Sequence, residues 1–404
     1  MKLFPRMVLD YGASDLARLL ARGGHDAAAD LAAIDRELAR GRPFAMALSV
    51  RTSLDLLLSC LSVQPGDEII LSAVTVPGMA EIAHHHGLVV RVVDIDPDSL
   101  TVSADDLRAL VNERTRVAVI APLFGSHGDL SEHALVCRER KVVLVEDAAQ
   151  AWDGEYRGSM VADVVFFSFG PAKTATALAG AVVVFRDQVM AQRFARMQAE
   201  LPAQSAGWLF YRVVKFGAVL LFRGPRRLGF IARLAALTGR DPDIFIGSMA
   251  KGFAGQGFIA RIRHRLPDAV RSLIAHKLRT HPGAAQRKAR ARQFIAMIDP
   301  VLTAPGRANP ATSYWLLPVC VADPSRLVGA LRARGYDASR GASSLAAIID
   351  DRTGRPCTKA QQMMGSLVYV PLTQYTGEDE MRQMAKIIKR HARAVGTVGE
   401  EIAA

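Results

Sequence analysis

The sequence predicts an α/β protein with a mostly parallel sheet in its large domain and a small α+β domain at its C-terminus. Six short runs are apolar nearly throughout, and helix-like segments lie between the first four of them. Strands that are apolar on both faces and alternate with helices are typical of a buried parallel sheet with helices on both sides. The six runs are EIILSAV, VVRVVDI, RVAVIAP, KVVLVE, VVFFSF and GAVVVF.

Helices are predicted before and between these strands. Residues 1 to 45 carry apolar positions at helical spacing in ASDLARLLARG and AAADLAAIDRELARG. A further apolar helix, LDLLLSCLS, ends at a turn over residues 64 to 67. The segments MAEIAHHHG, ADDLRALVNE and SEHALVCRER complete the alternation. His84, His85 and His86 are consecutive and face different directions on a helix, so we expect a helix end before Gly87, not a metal site.

The alternation stops near Arg193. Residues 206 to 237 are apolar with interspersed Arg and Lys, and Gly224-Pro225 divides them into two helix-like pieces. Residues 257 to 300 are basic and compatible with helices. Strand-like SYWLLPVCV and SLVYVPL then mix with helix-like PSRLVGALRARG and EDEMRQMAKIIKRHARAV. We predict a large domain over 1–200, a helical insertion with connecting helices over 201–300 and a small domain over 301–404.

Composition narrows the function classes. Of 404 residues, 50% are hydrophobic and 22% charged, which is a globular composition. The net charge is +12, but much of it lies between Arg193 and Arg292 with no nucleic-acid module, so we expect no nucleic-acid partner. The four cysteines form no metal-binding pattern, and we expect no metal. A reducing environment and the lack of an apolar signal core favour a cytoplasmic protein.

Polar residues at the ends of the predicted strands indicate where the chemistry lies. Ligands of parallel sheets bind beyond the carboxyl ends of the strands. Asp147 ends one strand, while Ser168 and Lys173 end or follow the next. A lysine can hold an aldehyde cofactor as a Schiff base, and a carboxylate keeps the ring nitrogen of pyridoxal phosphate protonated. Ser168, with Arg51 and Thr52 at a helix start, suits the cofactor phosphate.

Nearby residues have less specific interpretations. Glu146 alternates to the other side of its strand, so Asp147 is the better candidate. His127 follows a strand and is a weaker candidate for the site. We expect Trp152 to be a packing residue and Arg340 to be a solvated loop residue.

The stretches EDAAQAWDGEYRG and FFSFGPAKTATALAGAVVV resemble the cofactor signature of the DegT/DnrJ/EryC1/StrS aminotransferases, which have fold type I of the pyridoxal-phosphate enzymes. SVRTSLDLLLSCLSVQPGDEIILSAVTVPGMAEI is similar to that family's upstream helix, turn and strand. The resemblance covers roughly residues 40 to 190 well and the C-terminal domain loosely.

The resemblance implies a role for each candidate residue. Lys173 would form the internal aldimine and move the proton, Asp147 would pair with the pyridine nitrogen, and Gln150 would contact the ring hydroxyl side. The phosphate would be held by Ser168, Arg51 and Thr52. The implied reaction is transamination by a homodimer, commonly from glutamate to a keto group of a nucleotide-linked sugar. A dehydratase or lyase on the same scaffold is the alternative.

The chain departs from the family pattern at three places. Arg51 stands where a Thr or Ser is usual, Val76 stands where an aromatic ring is common, and residues 206 to 237 replace the usual segment that reaches the neighbouring subunit. Two interpretations of this last block remain open. It is either a helical pair packed on the enzyme or a peripheral membrane element, which would suit a lipid-like substrate. A cofactor-binding scaffold with little turnover is a further rival.

Overall fold

A seven-stranded sheet lies at the centre of the chain, in the order β1-β8-β7-β6-β5-β2-β4. The computed structural model describes residues 2–21, 26–237, 257–302, 304–341 and 344–402, with side chains described except at 235–236 and 393–402. The strands of this sheet are β1 Phe44–Ala47, β2 Glu68–Ser72, β4 Val89–Val93, β5 Thr115–Ile120, β6 Val143–Asp147, β7 Val164–Ser168 and β8 Ala181–Phe185. A short strand, β3 (Val74–Thr75), lies outside it. All six predicted runs form strands.

Five of these strands are parallel, and β8 is antiparallel to both of its neighbours. A parallel connection needs a crossover of a dozen or more residues that is usually helical. Between β7 and β8 the chain has only the loop 169–180, which contains no helix, so β8 returns beside β7. Lys173 lies in this loop, and the tight return holds it at the carboxyl end of the parallel strands.

Helices cover both faces of the sheet because successive side chains of each strand point to opposite sides. One apolar cluster contains Ile70, Ala118 and Val182, and the other contains Ile69, Val119 and Val183. The helices that precede β8 or directly follow it are α1 Ala13–Leu20, α2 Ala27–Ile34, α3 Val50–Leu61, α4 Pro77–His85, α5 Ala104–Leu110, α6 Ser131–Glu139 and α7 Gln188–Glu200. α4 ends at the three histidines, and Gly87 follows with a φ of 74°.

The block over residues 206–237 forms two helices, α8 (Ala206–Leu221) and α9 (Pro225–Leu237), that separate at Gly224 as predicted. α8 packs on α1, and the hydroxyl of Tyr11 donates to the carbonyl of Phe216. None of the described helices is long and apolar enough to span a membrane.

The remaining helices connect to the C-terminal part. They are α10 Phe258–Ile262, α11 Asp268–Thr280, α12 Ala285–Ile298, α13 Pro324–Arg332, α14 Thr358–Ser366 and α15 Glu378–Ile402. The two predicted strands are β9 (Leu317–Cys320) and β13 (Leu367–Val370), which pair antiparallel. The short strands β10 (Ala346–Ala347), β11 (Ile349–Asp350) and β12 (Arg355–Pro356) lie between them. β10 pairs with β3, so the C-terminal part contacts the edge of the site. The proposed domain boundaries stay a prediction.

Candidate active site

Asp147 and Lys173 meet at the carboxyl end of the sheet. Asp147 is the last residue of β6 and is buried, and its Oδ1 accepts a hydrogen bond of 3.1 Å from the backbone N–H of Ala149. Burial raises the pKa of Asp147, while the positive charge of Lys173 opposes that rise. Burial lowers the pKa of Lys173 from 10.5 to about 8; the charge of Asp147 opposes this fall and that of Arg51 adds to it. Lys173 is therefore far more readily deprotonated than a surface lysine.

Glu146 points to the other side of the sheet, as the alternation of the strand predicts. Its carboxylate accepts hydrogen bonds from the hydroxyl of Tyr156 and, at 2.7 Å, from the backbone N–H of Ser159. It is completely buried, and burial raises its pKa. The two adjacent acids therefore have separate surroundings, and only Asp147 faces the lysine.

Gln150 is held in a fixed orientation by two donors. Its Oε1 accepts hydrogen bonds of 3.0 Å from the backbone N–H of Phe124 and from the indole Nε1 of Trp315. Because both donors use the oxygen, the side-chain NH₂ group is left to donate to a ligand. Trp315 comes from the segment before β9. A residue near the C-terminal part therefore holds the side chain of Gln150 in place.

A small cavity brings three of the predicted residues together. It is lined by Gln150, Ser168 and Lys173, and also by Ala149, Trp152, Thr174 and Trp315. The ammonium nitrogen of Lys173 lies 5.2 Å from the centroid of the Trp315 ring. Trp152 is buried in the core as predicted, but its Nε1 has no hydrogen-bond partner among the described residues. A polar ligand here would find amide, hydroxyl, indole and amine groups within one small space.

The start of α3 supplies the remaining predicted residues. Ser49 caps this helix by accepting the N–H of Thr52 at 3.2 Å. The hydroxyl of Thr52 is buried and donates to the carbonyl of Ile262 at 2.9 Å. Arg51 is close enough to lower the pKa of Lys173. A Cβ at Gly78 would lie 3.0 Å from Nε of Arg51, so a glycine at this position leaves the room that the guanidinium occupies.

The other sequence candidates lie away from the lysine. His127 stacks on Tyr156 with ring centroids 4.0 Å apart and lines neither cavity that reaches Lys173. Val76 caps the start of α4 and packs against the core. Arg340 is exposed and donates to the carbonyl of Gly365. No group of three or more His, Cys, Asp or Glu residues in the described part of the chain is placed to hold a metal ion.

A larger cavity of about 290 Å³ opens on the other side of Lys173 and Trp315. The sequence analysis did not find it, because its walls come from segments far apart in the chain: the N-terminus, the α8–α9 turn, α12 and the segment leading into β9. Its titratable lining residues are Arg6, Asp10, Lys173, Arg223, His281, Arg287 and Arg290. Lys173 thus separates a small polar cavity from a larger cationic one.

Residues 32–214 match the model of the DegT/DnrJ/EryC1/StrS aminotransferase family. The chain is similar to this family over these residues, which are a little under half of its length. The matched residues include Arg51, Asp147, Gln150, Ser168 and Lys173, while the walls of the larger cavity lie mostly outside them.

Individual relatives are similar to part of the chain. L-glutamine:2-deoxy-scyllo-inosose aminotransferase of Streptomyces fradiae is 34% identical over 169 residues, or 40% of this chain and 39% of the relative. GDP-perosamine synthase of Caulobacter vibrioides is 29% identical over 152 residues, or 37% and 41% of the two chains. The chain spans about two fifths of the length of the curated relatives it matches.

The fold extends further than the sequence similarity. The crystal structure of the aminotransferase TlmJ from Streptoalloteichus hindustanus covers 97% of this chain and is itself covered completely, with a TM-score of 0.70 at 19% identity. This similarity shows that the chain has the fold of the pyridoxal-phosphate enzymes of fold type I.

The chemical groups of the predicted site residues fit pyridoxal phosphate. An aldehyde requires an amine that is unprotonated near neutral pH, and the lowered pKa of Lys173 provides one. A protonated ring nitrogen requires a buried carboxylate, which Asp147 provides. A phosphate requires cations and donors near a helix start, and Arg51 lies in the first turn of α3.

Proposed function

We propose that this protein is a pyridoxal-phosphate-dependent aminotransferase. The observation that carries the proposal is the buried Asp147 beside a lysine whose pKa falls to about 8, both at the carboxyl end of one sheet. When bound, pyridoxal phosphate supplies an electron-withdrawing ring that makes the carbon next to a substrate nitrogen acidic. A lysine of lowered pKa at that place can accept and return a proton near neutral pH.

Each of the six predicted site residues has a proposed role. Lys173 attaches the cofactor aldehyde and afterwards moves the proton. Asp147 keeps the ring nitrogen protonated, and the NH₂ group of Gln150 donates to the ring hydroxyl. Ser168 and Arg51 hold the phosphate. The hydroxyl of Thr52 donates to the carbonyl of Ile262. Thr52 would bind the phosphate by donating to it in place of that carbonyl.

The test is the visible absorption of the purified protein incubated with pyridoxal phosphate. We expect a band that Lys173→Ala lacks, and we expect an amino donor such as glutamate or glutamine to convert it to the spectrum of pyridoxamine phosphate. The donor-treated protein should then react with a keto acceptor, for which a nucleotide-linked sugar is the first choice to screen. A band that no donor converts would favour a dehydratase or lyase, and absence of any band would contradict cofactor binding.

We also propose that the enzyme is a homodimer, because sites of this fold are commonly completed across a two-fold interface. Sedimentation velocity of the cofactor-loaded protein at micromolar concentration should give the mass of two chains. A single-chain mass across the accessible concentration range would contradict this proposal.

A peripheral membrane contact through α8 and α9 is a separate proposal. Residues 206–237 contain six Arg or Lys and no acid. Large apolar side chains are exposed on both helices, with Tyr211 at 64% and Phe230 at 62%. Phe222 and Phe230 line one groove together with the exposed cations Arg226 and Arg227. Exposed aromatic and basic residues on one helical surface suit anionic lipid.

Co-sedimentation with vesicles tests the membrane contact. We expect the protein to sediment with phosphatidylserine-containing vesicles and much less with purely zwitterionic ones. The double variant Phe222→Ser, Phe230→Ser should lose this binding, while Val189→Ser, which removes a still more exposed apolar side chain from α7, should keep it. Equal sedimentation of both variants would contradict the proposal and favour a packing role for the two helices.

A further inference from the structure

The larger cavity beside Lys173 contains guanidinium groups that have no carboxylate partner in the described part of the chain. Arg223 donates to the backbone carbonyl of Tyr11 at 2.8 Å, Arg287 to that of Ser313 at 3.0 Å, and Arg290 to that of Thr373. These three arginines are called here the arginine cluster. Every acceptor named is an uncharged carbonyl, so the positive charges of the cluster are not neutralised by these contacts.

The arginine cluster is half-buried, and two fully buried cations near it are paired with carboxylates. Arg6, which lines the same cavity, forms a two-pronged ion pair with Asp337 at 2.6 and 2.9 Å. Lys277 lies 3.1 Å from a carboxylate oxygen of Asp15. Burying a cation without a partner is costly, and proteins usually pair such groups. The arginine cluster is therefore an exception within a region that otherwise follows the rule.

Asp10 is the single carboxylate among the residues that line this cavity, and several cations share its charge. Asp10 accepts the N–H of Ala175 at 3.1 Å and lies 3.7 Å from the ammonium of Lys277 and 3.9 Å from Nε2 of His281. Its charge also raises the pKa of Arg287 against the lowering effect of burial, so one carboxylate is shared by Lys277, His281 and Arg287. His281 adds a further donor to the wall, and burial lowers its pKa, which favours the neutral ring.

The position of the arginine cluster relative to Lys173 indicates what it binds. Nη1 of Arg287 lies 3.4 Å from the hydroxyl of Thr174, the residue that follows the lysine. Arg290 is one turn further along α12, and Arg223 approaches from the turn between α8 and α9. The residues at the start of α3, where the cofactor phosphate is proposed to bind, do not line the larger cavity. A ligand in the larger cavity would reach Lys173 at one end and the arginine cluster at the other.

We propose that the arginine cluster is an anion subsite for the substrate, so that the molecule whose amino or keto group reaches Lys173 carries a phosphate or carboxylate group. This inference rests on the proposed aminotransferase function for its placement in the reaction. The residues themselves lie outside the matched region 32–214, so the subsite is a feature of the part of the chain that diverges from the family. Guanidinium groups suit both anions because their paired N–H donors match two oxygens at once.

The experiment is a calorimetric titration of the cofactor-loaded protein, in which the cofactor phosphate already occupies its own site. Inorganic phosphate and glutarate are the two probes, because they separate the phosphate and dicarboxylate sources of the same chemistry. We expect at least one probe to bind, with affinity reduced about tenfold or more in Arg290→Gln, as loss of a charge-assisted hydrogen bond implies. Arg290→Lys keeps the positive charge but loses the paired guanidinium donors. Its affinity for the probe should therefore lie between those of Arg290→Gln and the parent protein.

Arg292→Gln is the matched control. Arg292 lies on the same helix and makes the same kind of bond, to the carbonyl of Pro310, but it is exposed and outside the cavity. It should bind the probes as the parent protein does. The anion subsite is overturned if neither probe binds, or if Arg290→Gln and the parent protein bind the probes with equal affinity. If the protein takes up no cofactor but still binds glutarate, the proposed function is contradicted and the anion subsite is not.

Discussion

The two sides of Lys173 are built by different parts of the chain. The cofactor side is formed by strand ends and by the start of α3, with Asp147, Gln150 and Ser168 all inside the matched region 32–214. The opposite side is formed by Arg223, Arg287 and other residues that mostly lie outside that region. If the proposed function holds, the region that matches the family carries the catalytic chemistry, and the choice of substrate depends on residues mostly outside it.

Trp315 joins the two sides. It lines both cavities, donates to Gln150 and presents its ring to the ammonium of Lys173. A residue outside the matched region therefore also supports a residue of the cofactor side. The predictions below test how completely the two sides are separated, beginning with the largest expected effect.

Asp147→Asn should reduce transamination by roughly 10²–10⁴-fold, a range typical of losing a group that controls proton transfer. The amide preserves shape but cannot balance a positive ring nitrogen. Steady-state turnover measures the effect. Glu146→Gln is the control, because Glu146 contacts Tyr156 and Ser159 on the opposite side of the sheet. It should lose stability but keep most of its turnover per folded molecule, and equal losses in both variants would contradict the assignment.

The pH dependence of cofactor attachment should report the pKa of Lys173. Only the unprotonated amine attacks an aldehyde, so the rate should rise with pH and level off above about pH 8, the pKa of Lys173, and not near 10.5. Asp147→Asn removes the charge that raises this pKa, so the midpoint should move to lower pH. Stopped-flow absorbance with pyridoxal phosphate measures both profiles. A midpoint near 10.5 would show that the lysine is not desolvated.

Trp315→Phe should weaken cofactor binding by about 5–10-fold, because the loss of one hydrogen bond to Gln150 is worth about 1 kcal/mol. The phenyl ring keeps a face near the ammonium of Lys173 but lacks the indole N–H. Fluorescence or absorbance titration of the unloaded protein gives the dissociation constant. In a Gln150→Ala background the Trp315→Phe change should cause little further loss, and fully additive losses would argue against a shared interaction.

Gly78→Ala should have the smallest effect, a reduction of a few-fold in cofactor affinity. Its Cβ would lie 3.0 Å from Nε of Arg51, and the flexible arginine can yield by a few tenths of an ångström. Gly207→Ala is the matched control, because a Cβ at Gly207 meets nothing within 4 Å. If both variants bind the cofactor alike, Arg51 does not depend on the space that Gly78 leaves.

Much of the large domain could be predicted because its signals are local. A buried parallel strand is apolar throughout, and the apolar positions of a helix repeat every 3.6 residues. The six strands and the separation of α8 from α9 at Gly224 could therefore be predicted from the sequence. The assignment of Asp147 rather than Glu146 followed from the period of two in a strand. The antiparallel direction of β8 was not foreseen, since it depends on the absence of a helix in the loop that carries Lys173.

The sequence by itself determined the sheet, the acid and the lysine, because each depends on periodicity or on position at a strand end. Only the tertiary structure decided that Trp315 orients Gln150, that the hydroxyl of Thr52 is bonded to Ile262, and that Arg223 and Arg290 face one cavity. These contacts join residues that are distant along the chain. These contacts depend on how helices and loops pack around the sheet, and local sequence patterns do not predict that packing.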